Sequence, residues 1–493
     1  MRKWLSMILS VSLVLSSFFT LGSAVSAASK FEITEDAAIA ARIKDFADIK
    51  ALFTDNTDLS AVKKFYADKF QTEVKRIDAN IKPDDPKIDE NISIVLDNAI
   101  AGTLNVGQAK QAIDKGLQWY FYFAIRDLIN NQVRPALKSG DNAKAQTEFY
   151  KVVQIYEGVL QATVVKRDNS YSLHMADILN GTIEQLLSDL ASGKADDFNV
   201  HRQVLDKTLI KTFALALHTY AKNIPTKPAA DQPAAMTEGY FFYMAVYTYL
   251  KGGSAADADY IRNVFASGDA SKVNLEKIQD AMQRAMIGKV SEYVNQAFVK
   301  LEAGDLQGAR GYAMEGNMFL SAQEVFLGAE KYAAAAAYAQ QFADAVDKSD
   351  LASAKKHAFQ VLKFLVVKDG VQLKVNVKTY QVNGKDVSAD AAPYINVKTS
   401  RTLVPVRVIA EAIDAEVSYD AAAKKVSIVK DGKTTDIKIG SDQVVQNGEV
   451  NADVKLDQPV LVNNGRSFIP LRAVAELFGK GVFYDKGEII ILR

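Results

Sequence analysis

Arg401-Thr402-Leu403-Val404-Pro405-Val406-Arg407-Val408-Ile409-Ala410-Glu411 returns as Arg466-Ser467-Phe468-Ile469-Pro470-Leu471-Arg472-Ala473-Val474-Ala475-Glu476, at a constant offset of 65 residues. Around this pair, Asn383-Gly384 returns as Asn447-Gly448, Pro393 as Pro459, and Tyr419-Asp420 as Tyr484-Asp485. Order, spacing and residue type agree, so the end of the chain is an internal duplication. Each copy reads as a hairpin turning at Asn-Gly, a strand through Arg-[Thr/Ser], and a short helix with Pro405 or Pro470 in its first turn. The helix should bury Val406, Ile409, Ala410 and Ile413 in one copy, and Leu471, Val474, Ala475 and Phe478 in the other. Arg407 and Glu411, like Arg472 and Glu476, lie four apart and are expected to pair on one helix face. Glycan or anion binding by the two arginines is the alternative. A second hairpin, Val417-Ser418-Tyr419 with Val426-Ser427-Ile428, closes the copy.

The doubled Asn-Gly, Pro, Arg-[Thr/Ser]-x-[Val/Ile]-Pro-[Val/Leu]-Arg-x-[Ile/Val]-Ala-Glu pattern, followed by Tyr-Asp, resembles the copper amine oxidase N-terminal-like (stalk) domain. Bacteria of the Bacillus and Clostridium type append that domain to secreted proteins. The resemblance runs from about 371 to 493 and departs from the pattern at Asp414, where Gly is usual and Gly479 keeps it. It implies an accessory module for attachment or interaction at the cell surface, with Arg401, Pro405, Arg407, Glu411, Arg466, Pro470, Arg472 and Glu476 as motif residues. Amine oxidase chemistry needs three His on copper and a Tyr-derived quinone in a different, larger domain. The four His here are His174, His201, His218 and His357, none of them in the module. Oxidase activity is therefore not expected.

Upstream of Lys368-Asp369-Gly370 the texture is helical, with Ala, Leu, Lys, Gln and Glu at three- and four-residue apolar spacing. Asn105, Asn199 and Asn274 each read as the N-cap of a long helix. Each follows a shorter helix stopped by Gly102, Gly193 or Gly268. Ser139-Gly140-Asp141 and Ala303-Gly304-Asp305 read as turns between long helices. The fold class is thus multidomain: an all-α helical-repeat or bundle domain over 28–367, then a small α+β domain over 368–493. Two duplicated β-hairpin/helix units, about 371–436 and 437–493, build the second. Chance similarity among Ala-rich helices is the alternative to a repeat.

Arg2 and Lys3, an apolar stretch to Leu21 and Val25-Ser26-Ala27 read as a signal peptide over 1–27, with cleavage after Ala27. The chain holds 59 Lys+Arg and 59 Asp+Glu, so losing Arg2 and Lys3 leaves 57 against 59. That balance argues against a nucleic-acid partner. Zero Cys removes disulfides, thiolate metal sites and lipid attachment of the lipoprotein kind. No transmembrane segment is expected after cleavage. The product is expected outside a Gram-positive bacterium, secreted or cell-wall associated, with a cell-wall component or surface protein as partner.

No phosphate loop, nucleophile elbow or His-Glu-x-x-His is present, and no catalytic residue is assigned. Oxygen-rich candidates for a metal ion are Tyr156, Glu157, His174, Asp177, Glu238 and Glu315, which suit iron, manganese or calcium if facing helices assemble them. The helical half is similar in texture to extracellular helical domains of bacterial iron-uptake systems. Core filling by the tyrosines and local pairing by the acids is the competing reading. A non-catalytic binding or scaffolding body with no cofactor is the leading expectation, and an extracellular metal-binding protein assisting iron uptake is the alternative.

Overall fold

In a computed structural model the protein is described over residues 30–430, 432–472 and 478–492. The expected signal segment and Val474, Ala475 and Glu476 lie outside them. Helices fill the chain from Ala37 to Val366, and antiparallel strands follow from Gly370 to Leu492. Two compact units form, one of residues up to 286 with 321–325, the other of 287–320 with 326–493.

The first unit is all helix. Its core runs around Ala195–Asn223, where twenty side chains are buried on every side. Helix Gln232–Gly253 packs on both Val106–Leu128 and Ala195–Asn223. Contact between elements so far apart in sequence closes a bundle, where an open stack would join only neighbours. Gly102, Gly193 and Gly268 end their helices at φ of +78°, +64° and +65°, conformations that cost glycine least. Asn105 caps its helix with a reciprocal Gln108 bond, and Asn274 accepts from the Lys277 N–H at 2.9 Å. Asn199 does not cap: its helix begins at Ala195, and its side chain instead accepts from Arg134 Nε at 2.7 Å. Acidic residues Asp196 and Asp197 in the first turn favour the earlier start. Three helices carry a π turn, at Ala67–Gln71, Ile129–Val133 and Tyr156–Leu160.

Among the described residues of the second unit, fourteen strands make three sheets. They are β1 (Gly370–Lys374), β2 (Thr379–Val382), β3 (Lys385–Ser388), β4 (Tyr394–Asn396), β5 (Arg401–Pro405), β6 (Glu416–Asp420) and β7 (Lys425–Lys430). The second copy supplies β8 (Lys433–Lys438), β9 (Gln443–Gln446), β10 (Glu449–Lys455), β11 (Leu461–Asn463), β12 (Arg466–Pro470), β13 (Gly481–Asp485) and β14 (Glu488–Leu492). The sheet orders are β13-β14-β1-β2-β3, β10-β9-β8-β7-β6 and β11-β12-β5-β4. Adding or subtracting seven converts the first order into the second reversed, and the third into itself. The copies are therefore related by a pseudo-two-fold axis between β5 and β12, and every sheet takes strands from both. The second copy opens at Lys433, because β8 is the counterpart of β1.

Asn383-Gly384, Asn447-Gly448 and Asn464-Gly465 all turn with positive φ at both residues, which suits the right-handed twist of the strands they join. Asp414 keeps the left-handed turn of its counterpart Gly479, at φ +52° against +68°. Pro405 and Pro470 close β5 and β12 instead of entering the helix; both are buried and pair across the axis with Phe468 and Leu403. Val406, Ile409, Ala410 and Ile413 are buried as expected, as is Leu471, and Phe478 is partly so.

The pseudo-symmetry breaks where helix Leu351–Val366 lies on β13, β14 and β1. Phe483, Ile490 and Leu492 point to that side and are buried. Their counterparts Ser418, Ser427 and Val429 on the other five-stranded sheet are polar or exposed. Phe298 meets Phe483 at 6.5 Å between ring centres, and Lys363 pairs with Glu488 at 2.8 Å. At the entry to β1, a Cβ on Gly370 would stand 2.5 Å from the Ile491 carbonyl oxygen, a backbone atom that cannot swing away. Gly370→Ala is expected to destabilise the protein by about 1–3 kcal/mol. Denaturant unfolding with an unchanged midpoint would refute that.

Candidate functional site

The motif arginines divide into two kinds. Arg401 Nε pairs with Asp457 Oδ2 at 2.5 Å, and Arg466 Nε with Asp390 Oδ2 at 2.5 Å. Each arginine thus reaches the other copy, so this pair of contacts ties the duplication together. Arg407 and Arg472 are exposed. The side chains of their expected partners, Glu411 and Glu476, lie outside the described residues.

Five of the six metal-site candidates lie in the first unit, and Tyr156, Glu157, His174 and Asp177 are close to one another there. Tyr156 and Glu157 open the π turn at Tyr156–Leu160. The Tyr156 ring is fully buried and its hydroxyl has no partner. Burial pushes its pKa up, with the carboxylates of Asp168, Glu157 and Asp177 adding to the effect. Glu157 accepts the Lys30 backbone N–H at 3.1 Å. His174 Nδ1 and Asp177 Oδ2 are 3.8 Å apart and exposed. Asp168, which sequence reading passed over, accepts from the N–H groups of Met175 and Ala176 at 2.8 Å each. Its lone pairs are thereby committed to starting helix Met175–Ala191. Glu238 lies 3.3 Å from Lys115, and its charge adds to the burial that pushes the Tyr220 pKa up. Glu315 belongs to the second unit, half-buried on Leu306–Ser321. Among the described residues, no group of three His, Asp or Glu is placed to hold a metal ion.

Two shallow grooves mark the first unit. One of about 580 Å³ runs along Glu157, Gln161, Val165, Lys166 and Asn169. Another of about 600 Å³ lies where Val106 and Gln232 open their helices, with Gln111, Lys227 and Glu238 in its wall. Both are open troughs.

The chemistry that sequence reading missed is inside helix Ala195–Asn223. Asp206 accepts from Tyr122 OH at 2.8 Å and Lys207 Nζ at 2.7 Å, with Arg126 Nε 3.5 Å away. Burial opposes its charge, yet Lys207 and Arg126 more than offset that and hold its carboxyl well below the usual range. Arg126 also stacks over the Tyr249 ring at 4.8 Å. One turn on, Lys211 donates to Glu324 Oε2 at 2.6 Å and to Ser321 Oγ at 3.2 Å. His218 Nδ1 meets Tyr171 OH at 2.7 Å, and burial lowers its pKa, so it is neutral at pH 7. Apolar periodicity could not separate these residues from a solvated helix face, because Lys, Asp and Thr read alike whether paired inside or hydrated outside.

Against known proteins, residues 381–492 match the family model described as the copper amine oxidase N-terminal domain. That is the non-catalytic domain, and it agrees with the duplication and the strands just described. No curated protein and no solved structure matches the chain. The matched segment contains no His, so its residues do not fit a copper centre. No helix among the described residues is long and apolar enough to cross a membrane.

Proposed function

We propose that the chain is a secreted, cell-envelope-associated, non-catalytic protein. Its C-terminal domain mediates attachment or interaction with a cell-wall component or surface protein, and its helical unit is a binding or scaffolding body. The observation that carries this reading is the match of residues 381–492 to an accessory domain that lacks copper ligands. The basic, apolar and small-residue order of the first 27 residues supports export. Open troughs with no convergent nucleophile or carboxylate pair favour binding over turnover.

The test incubates mature chain 28–493 and fragment 287–493, which keeps the second unit whole, with purified cell walls. Both are expected to sediment with the walls. If neither does, attachment through this domain is wrong.

A further inference from the structure

Arg167 sits in helix Gln161–Tyr171, 2% exposed and among the largest buried side chains of the protein. A guanidinium carries five N–H donors. Arg167 uses one of them, Nη1 to Thr219 Oγ1 at 2.9 Å, and its buried Nε has no partner. The acid acting on it from farther off is Glu238, whose carboxylate is already paired with Lys115 at 3.3 Å. The other buried cations of this unit each have a carboxylate at hand, Lys207 with Asp206 and Lys211 with Glu324. Arg167 is the exception.

An arginine buried without an anion is costly by several kcal/mol, and it cannot escape by losing its proton at neutral pH. Burial does push its pKa down. Its nearest polar neighbours are hydroxyls. Thr219 Oγ1 is 3.0 Å from Tyr171 OH, which touches the neutral ring of His218, itself 3.3 Å from Gln279. Tyr171 is half-buried and ends its helix at Ser172, so the network comes to the surface there.

We propose that the Arg167 guanidinium, whose Nε is left unpartnered, forms a binding site for a compact oxyanion. The fork of the guanidinium presents parallel donors that match two oxygens of a carboxylate or phosphate. Bound there, the anion supplies the directly paired counter-charge that Glu238, farther off, does not. The site is independent of the proposed wall attachment and lies in the helical unit, which that reading left without a ligand.

The test follows thermal unfolding of the mature chain at pH 7 and constant ionic strength, with sodium chloride replaced stepwise by sodium phosphate or sodium acetate. A saturable rise in midpoint of a few degrees is expected with at least one of the two. The anion that produces it identifies the class. Arg167→Met should abolish the saturable rise, leaving the shallow linear effect that such salts have on any protein. Arg167→Lys, which keeps the charge without the fork, should retain a weaker one and serves if Arg167→Met does not fold. The proposal is overturned if the wild-type midpoint shows no saturable rise with either anion. An equal rise in an Arg167 variant overturns it too.

Discussion

Asp206→Asn is expected to destabilise the helical unit by about 3–5 kcal/mol, because it strands two buried or half-buried cations at once. Lys207 would lose its 2.7 Å partner and Arg126 its carboxylate at 3.5 Å, while the amide oxygen could still accept the Tyr122 hydroxyl. A surface ion pair such as Lys44 with Asp48 would cost less than about 1 kcal/mol on the same substitution. Urea unfolding of the two variants side by side checks the contrast; equal midpoints would show that the Asp206 cluster is solvated. The cluster also has a pH signature. The folded-state pKa of Asp206 is depressed, so its contribution is fully present above the unfolded carboxylate value near about 3.9 and is lost as pH falls through the folded one. Asp206→Asn should therefore narrow the stability difference between pH 7 and pH 3.

Cutting the chain where helix gives way to strand should do comparable damage. Fragment 369–493 contains every strand but loses helix Leu351–Val366, and with it the cover over Phe483, Ile490 and Leu492. Each such side chain contributes about 1.5–3 kcal/mol when fully buried, an upper estimate because unfolded chains are not fully extended. Fragment 287–493 keeps the cover and should unfold at clearly higher urea. It should also stay monomeric where the shorter fragment associates through its bared sheet. Matching midpoints and matching sedimentation would show that the helix is dispensable.

Much of the C-terminal domain was legible because its signals are local. Asn383-Gly384 and Asn447-Gly448 specify hairpin turns by backbone conformation alone, and Arg401 to Glu411 repeats residue for residue. What the repeat could not convey is which copy each strand pairs with, since β1 and β8 have almost the same neighbours in sequence. The place of the prolines is ambiguous for a similar reason: Pro405 suits a helix start and a strand end alike, and cross-axis pairing with Phe468 decides it. In the helical unit, the glycine stops were legible and Asn199 was not, because an Asn a few residues inside a helix looks the same as one at its mouth. The candidate acids show the limit most clearly. Asp168 caps helix Met175–Ala191 only because the chain doubles back at Ser172 and brings Met175 to it. Arg167 was invisible as a special residue because no sequence pattern reports a missing partner.

The crossed strands of the duplication carry a consequence for mass action. A chain holding residues 370–430 alone would keep β1 to β7 but lack one partner each for β1, β5 and β7, because β14, β12 and β8 come from the other copy. Two such chains could supply those partners to each other, so a lone repeat should exist as a concentration-dependent dimer and come apart on dilution. Joining the copies through the short connection between Lys430 and Lys433 replaces that bimolecular step with an intramolecular one, at an effective concentration on the order of millimolar. The domain therefore stays assembled at any dilution, which would suit the export proposed above.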